Sequence, residues 1–584
     1  MGIRNTKRKE NPVTRHGRPN ILWISFEDTN PFYGCYGDPV ARTPNVDRLA
    51  AEGCRWPNAF STAGVCAPAR SAIITGMYPI SIGTHHMRTT HTEAAAPELP
   101  TPYSAVVPHY VKCFTEYLRA AGYYCTNNVK TDYQFTPPLT AWDECSRKAH
   151  WRNRPDKDQP FFAVFNLDRT HESGMWPKEG EDLSRWDLSA IPLPPYFPDT
   201  PKMRLAMARM YANIEHNDTL LGRLLEQLRE DGLEENTIVF HWSDHGPLPR
   251  GKRWPYDAGV HVPLIVRWPG HLAPGSVNEQ LVSTIDLGPT VLSLAGVPIP
   301  PHLQGRAFLG EQAAPPRRYV YMSRDRYDQD YDMVRAVRDK RFKYIRHYYP
   351  NTPYMIWVSY LNRHPIMQEL WRLYLAGELT GPQKLLFEPR PVEELYDTTA
   401  DPHEINNLAA DPAYADELQR LRQALEEWRR EVGDMGEIAE AEMVRRWYPG
   451  GKQPKTAAPV FVPLTVDSPA VTALTAPAAP SHESHETTTP APAEVPAAPL
   501  HAKLAAPAAV QLYCATQGAS IAYTLEPNTL EPNTQAPLEQ SPHPRWLLYT
   551  APIRLPLGQT TVRAKAIRIG YADSDEVMAV FEVS

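Results

Sequence analysis

The stretch from Gly64 to Gly76 contains a thiol, Cys66, a guanidinium group four residues later, Arg70, and a proline between them, Pro68. Pro68 suits the first turn of a helix because its missing N–H needs no partner there. Cys66 would then lie at the helix N-terminus, where free backbone amides and the helix dipole favour an anion. Arg70, four positions later, can share a face with Cys66 and offer a planar pair of donors to an anionic group.

The pattern Cys-x-Pro-x-Arg, followed by Thr75-Gly76, resembles the signature of the sulfatase family. The resemblance implies that Cys66 is oxidised after synthesis to formylglycine, which carries an aldehyde. One hydroxyl of the aldehyde hydrate would attack sulfur and the other would later lose a proton to expel sulfate, so no stable sulfated enzyme accumulates. The alternative for Cys66 alone is a buried cysteine near a turn, the usual setting of a cysteine.

Two pairs of polar residues follow apolar stretches that are typical of buried strands. Glu27-Asp28 follows the stretch 20–26, and Asp244-His245 follows 237–243. In open α/β sheets, ligands bind at the carboxyl ends of the strands. The resemblance implies a metal site formed by Glu27, Asp28, Cys66, Asp244 and His245. Ca²⁺ is the family expectation and Mg²⁺ the alternative. Glu27 departs from the usual Asp-Asp pair, and a helix cap is its alternative role.

The resemblance also assigns a set of catalytic residues, which is Cys66, Arg70, Lys130, His171 and Lys252. Lys130 stands in a Lys-x-Asp sequence where the family often has Lys-x-His, so only the lysine is carried over, as a contact to sulfate. His171 follows the strand-like stretch 161–166 and would protonate the leaving alcohol. Lys252 would hold the sulfate from the side opposite Arg70 and stabilise charge on the transferring group.

The loop 82–88 supplies candidate substrate contacts, because the matching loop of the family lies near the cleft. These are His85, His86 and Arg88. A solvated loop is the alternative.

Stretches with the pattern of a strand alternate with stretches that favour a helix over most of the chain. This order and the resemblance predict an α/β fold of the alkaline-phosphatase-like type, a sandwich with a central, mostly parallel sheet. At 584 residues the chain is longer than a domain with a single hydrophobic core usually is, so we expect several domains. We expect a polar tail at 1–18, the catalytic α/β subdomain at 19–310 and a smaller antiparallel-sheet subdomain at 311–449. A Pro/Ala/Thr-rich linker at 450–507 and a small β-sandwich at 508–584, resembling the C-terminal domain of chitobiases and hexosaminidases, would follow.

The composition indicates which classes of partner the protein does not bind. The net charge is only -7 and no long basic block appears, so nucleic acid is not expected. No apolar run is long enough for a bilayer span. The N-terminus does not resemble a signal peptide, whereas the family expectation is a periplasmic or secreted protein, so the compartment stays open. The oligomeric state also stays open.

The stretch 331–339 resembles bacterial enzymes of the heparan N-sulfatase-like type, and the appended sandwich favours a polysaccharide. We therefore expect hydrolysis of a sulfate ester, or a sulfamate, of a sulfated saccharide, with a formylglycine-generating enzyme as maturation partner. Two alternatives remain. One is a phosphodiester or phosphonate monoester hydrolase of the same superfamily, and the other is an unmodified, non-catalytic binder of sulfated glycan.

Overall fold

The structure, a computed structural model, describes residues 17–92, 94, 96–355, 357–466, 500–527 and 545–584. Nearly all of the tail predicted at 1–18, and residues 467–499 of the predicted linker, lie outside the described residues. Within the described part of the chain, no helix combines the length and the apolar character that a bilayer span requires.

The first part of the chain is built on one large sheet. Its strands and a small neighbouring pair are β1 (Asn20–Phe26), β2 (Cys54–Arg55), β3 (Ala59–Phe60), β4 (Tyr124–Asn128), β5 (Glu144–Cys145), β6 (Phe161–Leu167), β7 (Thr237–Ser243), β8 (Leu264–Arg267), β9 (Ser276–Val277) and β10 (Val282–Ser283). The large sheet has the order β5-β4-β6-β1-β7-β8-β2-β9. The first five strands in this order, β5, β4, β6, β1 and β7, run parallel to one another. Strand β8 runs antiparallel to both of its neighbours, β7 and β2. The predicted central, mostly parallel sheet is confirmed.

Helices cover both faces of this sheet, and one helix packs on the sheet that follows it. They are α1 (Pro44–Glu52), α2 (Cys66–Thr75), α3 (Pro79–Ile82), α4 (Phe114–Ala120), α5 (Pro201–Glu230), α6 (Asp257–Val260), α7 (Leu287–Leu294), α8 (Pro365–Leu375), α9 (Ala415–Val432) and α10 (Glu440–Trp447). Helix α5 begins after Thr200, whose hydroxyl accepts a hydrogen bond from the Met203 N–H, and Pro201 occupies its first turn.

The central strand β1 is buried along its whole length because both faces of the sheet are covered. Successive side chains point to opposite faces, so Leu22 and Ile24 join the apolar core that includes α5, whereas Ile21 and Trp23 join the core that includes α4 and α7. Two cores on either side of β1 thus fix the strand, and the carboxylates of the next two residues are held at its carboxyl end.

A second, antiparallel sheet follows, as predicted. It has the order β11 (Val320–Arg324), β12 (Val334–Arg338), β13 (Phe342–His347) and β14 (Glu393–Asp397). Helix α9 packs on it through Leu421, Leu425 and Trp428. The turn at Asp339-Lys340 joins β12 to β13.

The C-terminal strands form two sheets around one apolar core. They are β15 (Val460–Thr465), β16 (Leu500–Leu504), β17 (Ala508–Tyr513), β18 (Ser520–Pro527), β19 (Leu547–Leu548), β20 (Ile553–Leu555), β21 (Gly558–Ile567) and β22 (Val577–Val583). Strands β15 and β16 lie inside the predicted linker of 450–507, so that boundary is wrong. The apolar, alternating residues of β15 pair in register with β17 and bury Phe461 in the sandwich.

The sandwich also packs directly on the catalytic part of the chain. Lys112 donates hydrogen bonds to the Gly518 carbonyl at 2.6 Å and to the Ser520 hydroxyl at 2.8 Å. Arg568 donates one to the Val107 carbonyl at 2.6 Å, and Ile569 belongs to the core of the catalytic subdomain. The described linker residues therefore connect two docked bodies.

Candidate active site

Helix α2 begins at Cys66, as predicted, and Pro68 lies in its first turn. Gly64, two residues before Cys66, has no room for a side chain, because a Cβ there would lie 2.4 Å from the Trp254 carbonyl oxygen. The Gly64 carbonyl accepts a hydrogen bond of 2.6 Å from the Arg253 N–H. This close backbone contact brings the loop that carries Lys252 against the start of α2.

The two polar pairs predicted to bind metal meet beside Cys66. The carboxylate oxygen Oδ1 of Asp28 lies 3.2 Å from His245 Nε2, and the Asp28 N–H donates to Asp244 Oδ1 at 3.1 Å. The Cys66 Sγ lies 3.1 Å from the same His245 nitrogen and 3.9 Å from Asp28 Oδ1. All four side chains are buried. The parallel arrangement of β1 and β7 explains the meeting, because parallel strands place their carboxyl ends at one edge.

Three basic side chains surround this acidic group. Arg70 donates through Nε to Asp244 at 2.9 Å and through Nη1 to the Asn166 amide oxygen at 2.9 Å. Lys130 donates to Glu27 Oε2 at 2.9 Å, and Lys252 donates to Asp28 Oδ2 at 2.5 Å. The cations come from α2, from the loop after β4 and from the loop after β7.

The mixed charges shift the protonation of the site. Burial raises the pKa of the Cys66 thiol, but Lys130, Lys252 and His245 outweigh it and bring the pKa to about 6. Burial lowers the pKa of His245, whereas Asp244, Cys66 and Asp28 raise it, to about 9. Burial likewise opposes ionisation of Asp28, but Lys252 and the two site histidines hold its pKa below the usual value. The acidic groups therefore favour their anionic forms.

The residues present fit a divalent cation. Asp28, Cys66, Asp244 and His245 offer ligand atoms within 4.8 Å of one another, and Glu27 forms a second such group with Asp28 and His171. Glu27 Oε1 is buried and accepts no hydrogen bond, so it is available to a cation. The ring atom Nδ1 of His245 lies 2.9 Å from the Gly246 carbonyl and so keeps its proton. Nε2 becomes the ligand atom when a cation displaces the second proton, which the raised pKa of about 9 places there. Such a set of mostly oxygen donors suits Ca²⁺ or Mg²⁺.

A cavity of about 470 Å³ opens above this cluster. Cys66, Lys130, His171 and Lys252 line it. The Nδ1 atom of His171 accepts a hydrogen bond from the Ser173 N–H at 3.4 Å and lies 2.9 Å from the Ser173 hydroxyl. Nε2 therefore carries the proton of the neutral ring. Arg70 does not line the cavity but lies directly behind it, among Asp244, Asn166 and Glu27.

Of the three predicted substrate contacts, the structure places one at the cavity and two away from it. Arg88 lines the cavity and forms a salt bridge of 2.7 Å with Asp328. His85 and His86 are buried, with 2 % and 5 % of their surface exposed, and neither lines the cavity. His86 Nδ1 instead accepts a hydrogen bond of 3.3 Å from the Arg326 N–H. The expectation that these two histidines contact substrate is therefore not supported, because the sequence shows a loop but not which of its side chains face inward.

Three residues of the site were missed from the sequence. Asn166 bridges the site by accepting from both Arg70 and the Ser25 hydroxyl. Glu172 lies 3.1 Å from the Lys252 ammonium and 2.8 Å from the Arg253 guanidinium, and its N–H donates to Asp28 at 2.7 Å. Asn166 is the polar residue near the end of β6, and Glu172 and Arg253 adjoin residues that were predicted, which is the signal that could have found them.

Comparison with known proteins agrees with this geometry. The family model described as Sulfatase matches residues 19–136 and 150–297, and the model described as N-sulphoglucosamine sulphohydrolase, C-terminal, matches residues 245–374. An "Ulvan-active sulfatase" of Formosa agariphila is 38% identical over 597 residues, which cover 96% of this chain and 91% of the relative. The human N-sulphoglucosamine sulphohydrolase is 29% identical over 461 residues, covering 71% of this chain and 90% of the relative.

Solved structures share the fold at low sequence identity. A complex with D-glucosamine-2-N, 6-O-disulfate, described as the substrate of that protein, matches with a TM-score of 0.51 and 20% identity over 72% of this chain and 100% of the other. A phosphonate monoester hydrolase from Silicibacter pomeroyi matches with a TM-score of 0.52 and 20% identity over 72% of this chain and 97% of the other.

Proposed function

The chain belongs to the sulfatase family and is a sulfuric ester hydrolase, and on this premise we propose that it releases inorganic sulfate from a sulfated saccharide after conversion of Cys66 to formylglycine, with Ca²⁺ in the adjacent site. The observation that carries the proposal is the meeting of Cys66, Lys130, His171 and Lys252 around one cavity directly above a buried acidic cluster. The relative that is 38% identical is named for its activity on ulvan, which favours a polysaccharide as the source of the sulfate ester.

The metal would be held by Asp28, Asp244, His245 and the modified residue 66, with Glu27 Oε1 as the remaining free oxygen. A bound divalent cation would orient the reacting group and stabilise its anionic oxygen, and the aldehyde hydrate of formylglycine would supply the nucleophile. The replacement of Asp by Glu at position 27 lengthens the arm, and that arm also reaches Lys130.

The side chains around the cavity have distinct tasks. Lys130 and Lys252 present ammonium groups to the cavity and would hold the sulfate oxygens, so that charge developing on them is stabilised without reorganisation of water. Arg70 acts from behind, because its guanidinium fixes the Asp244 carboxylate and the Asn166 amide. Each cation is already paired with a buried carboxylate, so the cavity holds its charge pattern before substrate enters.

His171 would protonate the leaving oxygen. The Ser173 N–H and hydroxyl hold its Nδ1, and Nε2–H is therefore the group free to donate a proton. The ring lines the cavity together with Lys252, so the proton and the held sulfate lie at the same opening.

The experiment that tests the proposal pairs peptide mass with sulfate release. The protein is expressed together with a formylglycine-generating enzyme, and trypsin releases the peptide that follows Arg55 and ends at Arg70, in which Cys66 is the sole cysteine. We expect this peptide at the mass of the formylglycine form, and sulfate release from O-sulfated and N-sulfated mono- and disaccharides. Cys66→Ala is the matched control and should abolish turnover while the protein stays folded.

Retained turnover by Cys66→Ala would refute the mechanism. A peptide at the unmodified mass together with tight binding of sulfated glycan would instead support the non-catalytic alternative. Faster turnover of an aryl phosphodiester or a phosphonate monoester than of every sulfate would favour the hydrolase alternative, which the fold shared with a phosphonate monoester hydrolase keeps open.

A further inference from the structure

A second cavity, of about 650 Å³, adjoins the first and shares two lining residues with it, Lys130 and His171. It extends away from Cys66 between the ends of β4 and β6 and the side of α5. Its wall includes Arg147, Arg169 and His216. The catalytic assignments above use none of these three residues.

The second cavity carries uncompensated positive charge. Neither Arg147 nor Arg169 forms an ion pair with any residue that the structure describes, and both are exposed. Of the two carboxylates on the wall, Glu27 is already bonded to Lys130, which leaves only Asp168 to offset two guanidinium groups. This excess stands out on a protein whose net charge is -7.

Further positively charged side chains lie near the second cavity. The pKa of His216 is lowered first by burial and then by the positive charges of Arg169, Arg223 and Lys178. Like the two arginines on the wall, Arg223 and Lys178 are exposed, and neither forms an ion pair of 4.0 Å or less within the described ranges, although Glu181 lies near Lys178. The concentration of positive charge along one side of the active-site opening favours an anion there.

The backbone under the two arginines is firmly held. The Asn217 amide, buried on α5, donates to the Leu167 carbonyl at 3.0 Å and to the Thr170 hydroxyl at 3.1 Å, one residue or two from Arg169. The Asn128 amide donates to the Arg147 carbonyl at 2.9 Å. The backbone that carries both arginines is therefore fixed at the wall of the cavity, and their guanidinium groups are left available to a planar anion.

We propose that this second cavity is a subsite for the sugar next to the sulfated one, and that it selects a neighbour carrying an anionic group, a carboxylate or a second sulfate. The inference rests on the proposed function, because it takes the first cavity as the place of the reacting sulfate. Lys130 and His171 lie on the boundary of the two cavities, so a chain that passes from one to the other places its linkage beside the residues that act on the sulfate.

The test compares four substrates with the mature enzyme. They are the sulfated monosaccharide that is turned over fastest in the panel of the preceding subsection and the same unit linked to glucuronate, to a sulfated hexose or to an uncharged hexose. We expect kcat/KM to be higher for the two anionic neighbours than for the uncharged one. In Arg147→Gln or Arg169→Gln this preference should fall about fivefold, as for the loss of one exposed charge contact, and in the double variant roughly 25-fold.

Arg430→Gln, an exposed arginine on α9, is the matched control and should leave the preference unchanged. A preference retained for glucuronate alone, or for the second sulfate alone, identifies the source of the anion. Equal turnover of all three disaccharides, or a preference that the double variant keeps, would overturn the subsite while leaving the proposed function intact.

A binding measurement distinguishes failure of the subsite from failure of the proposed function. Calorimetric titration of the Cys66→Ala protein with tetraglucuronate, which carries no sulfate, should give a Kd that rises about fivefold for each arginine removed. If no sulfated saccharide is turned over, the proposed function fails, but this titration still decides on the subsite. Binding of tetraglucuronate that the double variant retains refutes the subsite. If tetraglucuronate does not bind, a carboxylate is ruled out as the anion, and the same titration with a sulfated tetrasaccharide that lacks uronate then decides: a Kd that the double variant leaves unchanged refutes the subsite.

Discussion

Arg70 is the residue at which the sequence motif and the folded site can be tested together. It is only 4 % exposed, and its guanidinium reaches Asp244, Asn166 and, at 3.8 Å, Glu27. Lysine would keep the charge at this position but offers a single nitrogen in place of a planar fork. Arg70→Lys therefore tests whether the geometry of the fork, and not merely its charge, organises the site.

The magnitude follows from the two hydrogen bonds of 2.9 Å. A lysine nitrogen can replace one of them, so one charge-assisted hydrogen bond is lost, worth about 1.5–3 kcal/mol. Asn166 keeps a donor in the Ser25 hydroxyl, so it adds no further cost. Arg70→Ala would leave the buried Asp244 carboxylate without its main partner, which costs about 3–5 kcal/mol. The order of stability is wild type, then Arg70→Lys, then Arg70→Ala.

The assay is urea unfolding followed by tryptophan fluorescence at fixed Ca²⁺, read as the midpoint at constant slope. Arg152→Lys is the matched control, since Arg152 forms a two-oxygen pair with Asp231 while its side chain is 39% exposed. It should cost at most about 1 kcal/mol. Sulfate release should fall with Arg70→Lys and not with the control. A destabilisation by Arg70→Lys no larger than that of Arg152→Lys, with turnover unchanged, would refute the reasoning.

Two further predictions follow from buried carboxylates. Glu27→Gln should weaken Ca²⁺ binding about tenfold or more, because it removes the carboxylate charge. The one remaining oxygen is held by Lys130, and the NH2 group that replaces Oε1 cannot bind a cation. The affinity for Ca²⁺ is measured as the rise in melting temperature with added Ca²⁺, and Asp168→Asn is the control variant. If Ca²⁺ stabilises both variants equally, Glu27 is not a ligand. Glu394 is buried, and although burial raises its pKa, His347 and Tyr354 lower it to about 2. Its ionised form therefore adds about 3 kcal/mol of stability above pH 4.5, which is lost as the pH falls towards 2. The difference in unfolding free energy between wild type and Glu394→Gln should shrink over that range, and a difference that is constant from pH 6 to pH 2.5 would contradict it.

Much of the site could be predicted because its residues lie where the chain leaves a buried strand. Glu27 and Asp28 follow β1, and Asp244 follows β7, and these strands are adjacent and parallel. Local patterns of apolar residues predict such strands, and the rule for ligand sites at strand ends then brings the acids together. The helix at Cys66 could be predicted for a similar local reason, since Pro68 and the small residues after it define its first turn.

The orientation of single side chains could not be predicted in this way. His85, His86 and Arg88 are neighbours in one loop, yet only Arg88 faces the cavity. The loop packs against Arg326 and its neighbours, more than two hundred residues later, and that contact decides which side chain turns inward. Composition failed for a related reason at 450–507. The average over the Pro- and Ala-rich segment hid β15, whose apolar side chains acquire a partner only when β17 pairs with it.

The residues that line the second cavity were even harder to predict from the sequence. Arg147, Arg169 and His216 belong to three separate segments and form no motif in the sequence. They converge because Arg147 follows β5 and Arg169 follows β6, and both of these strands pair in parallel with β4. Helix α5, which carries His216, packs beside the end of β6. A sequence motif can therefore indicate which bond is broken, since the reacting group needs fixed residue types at fixed spacing. The preference for one polymer over another depends on charges that only the fold brings together, so among proteins with the same motif at Cys66 it should vary with the residues at these three positions.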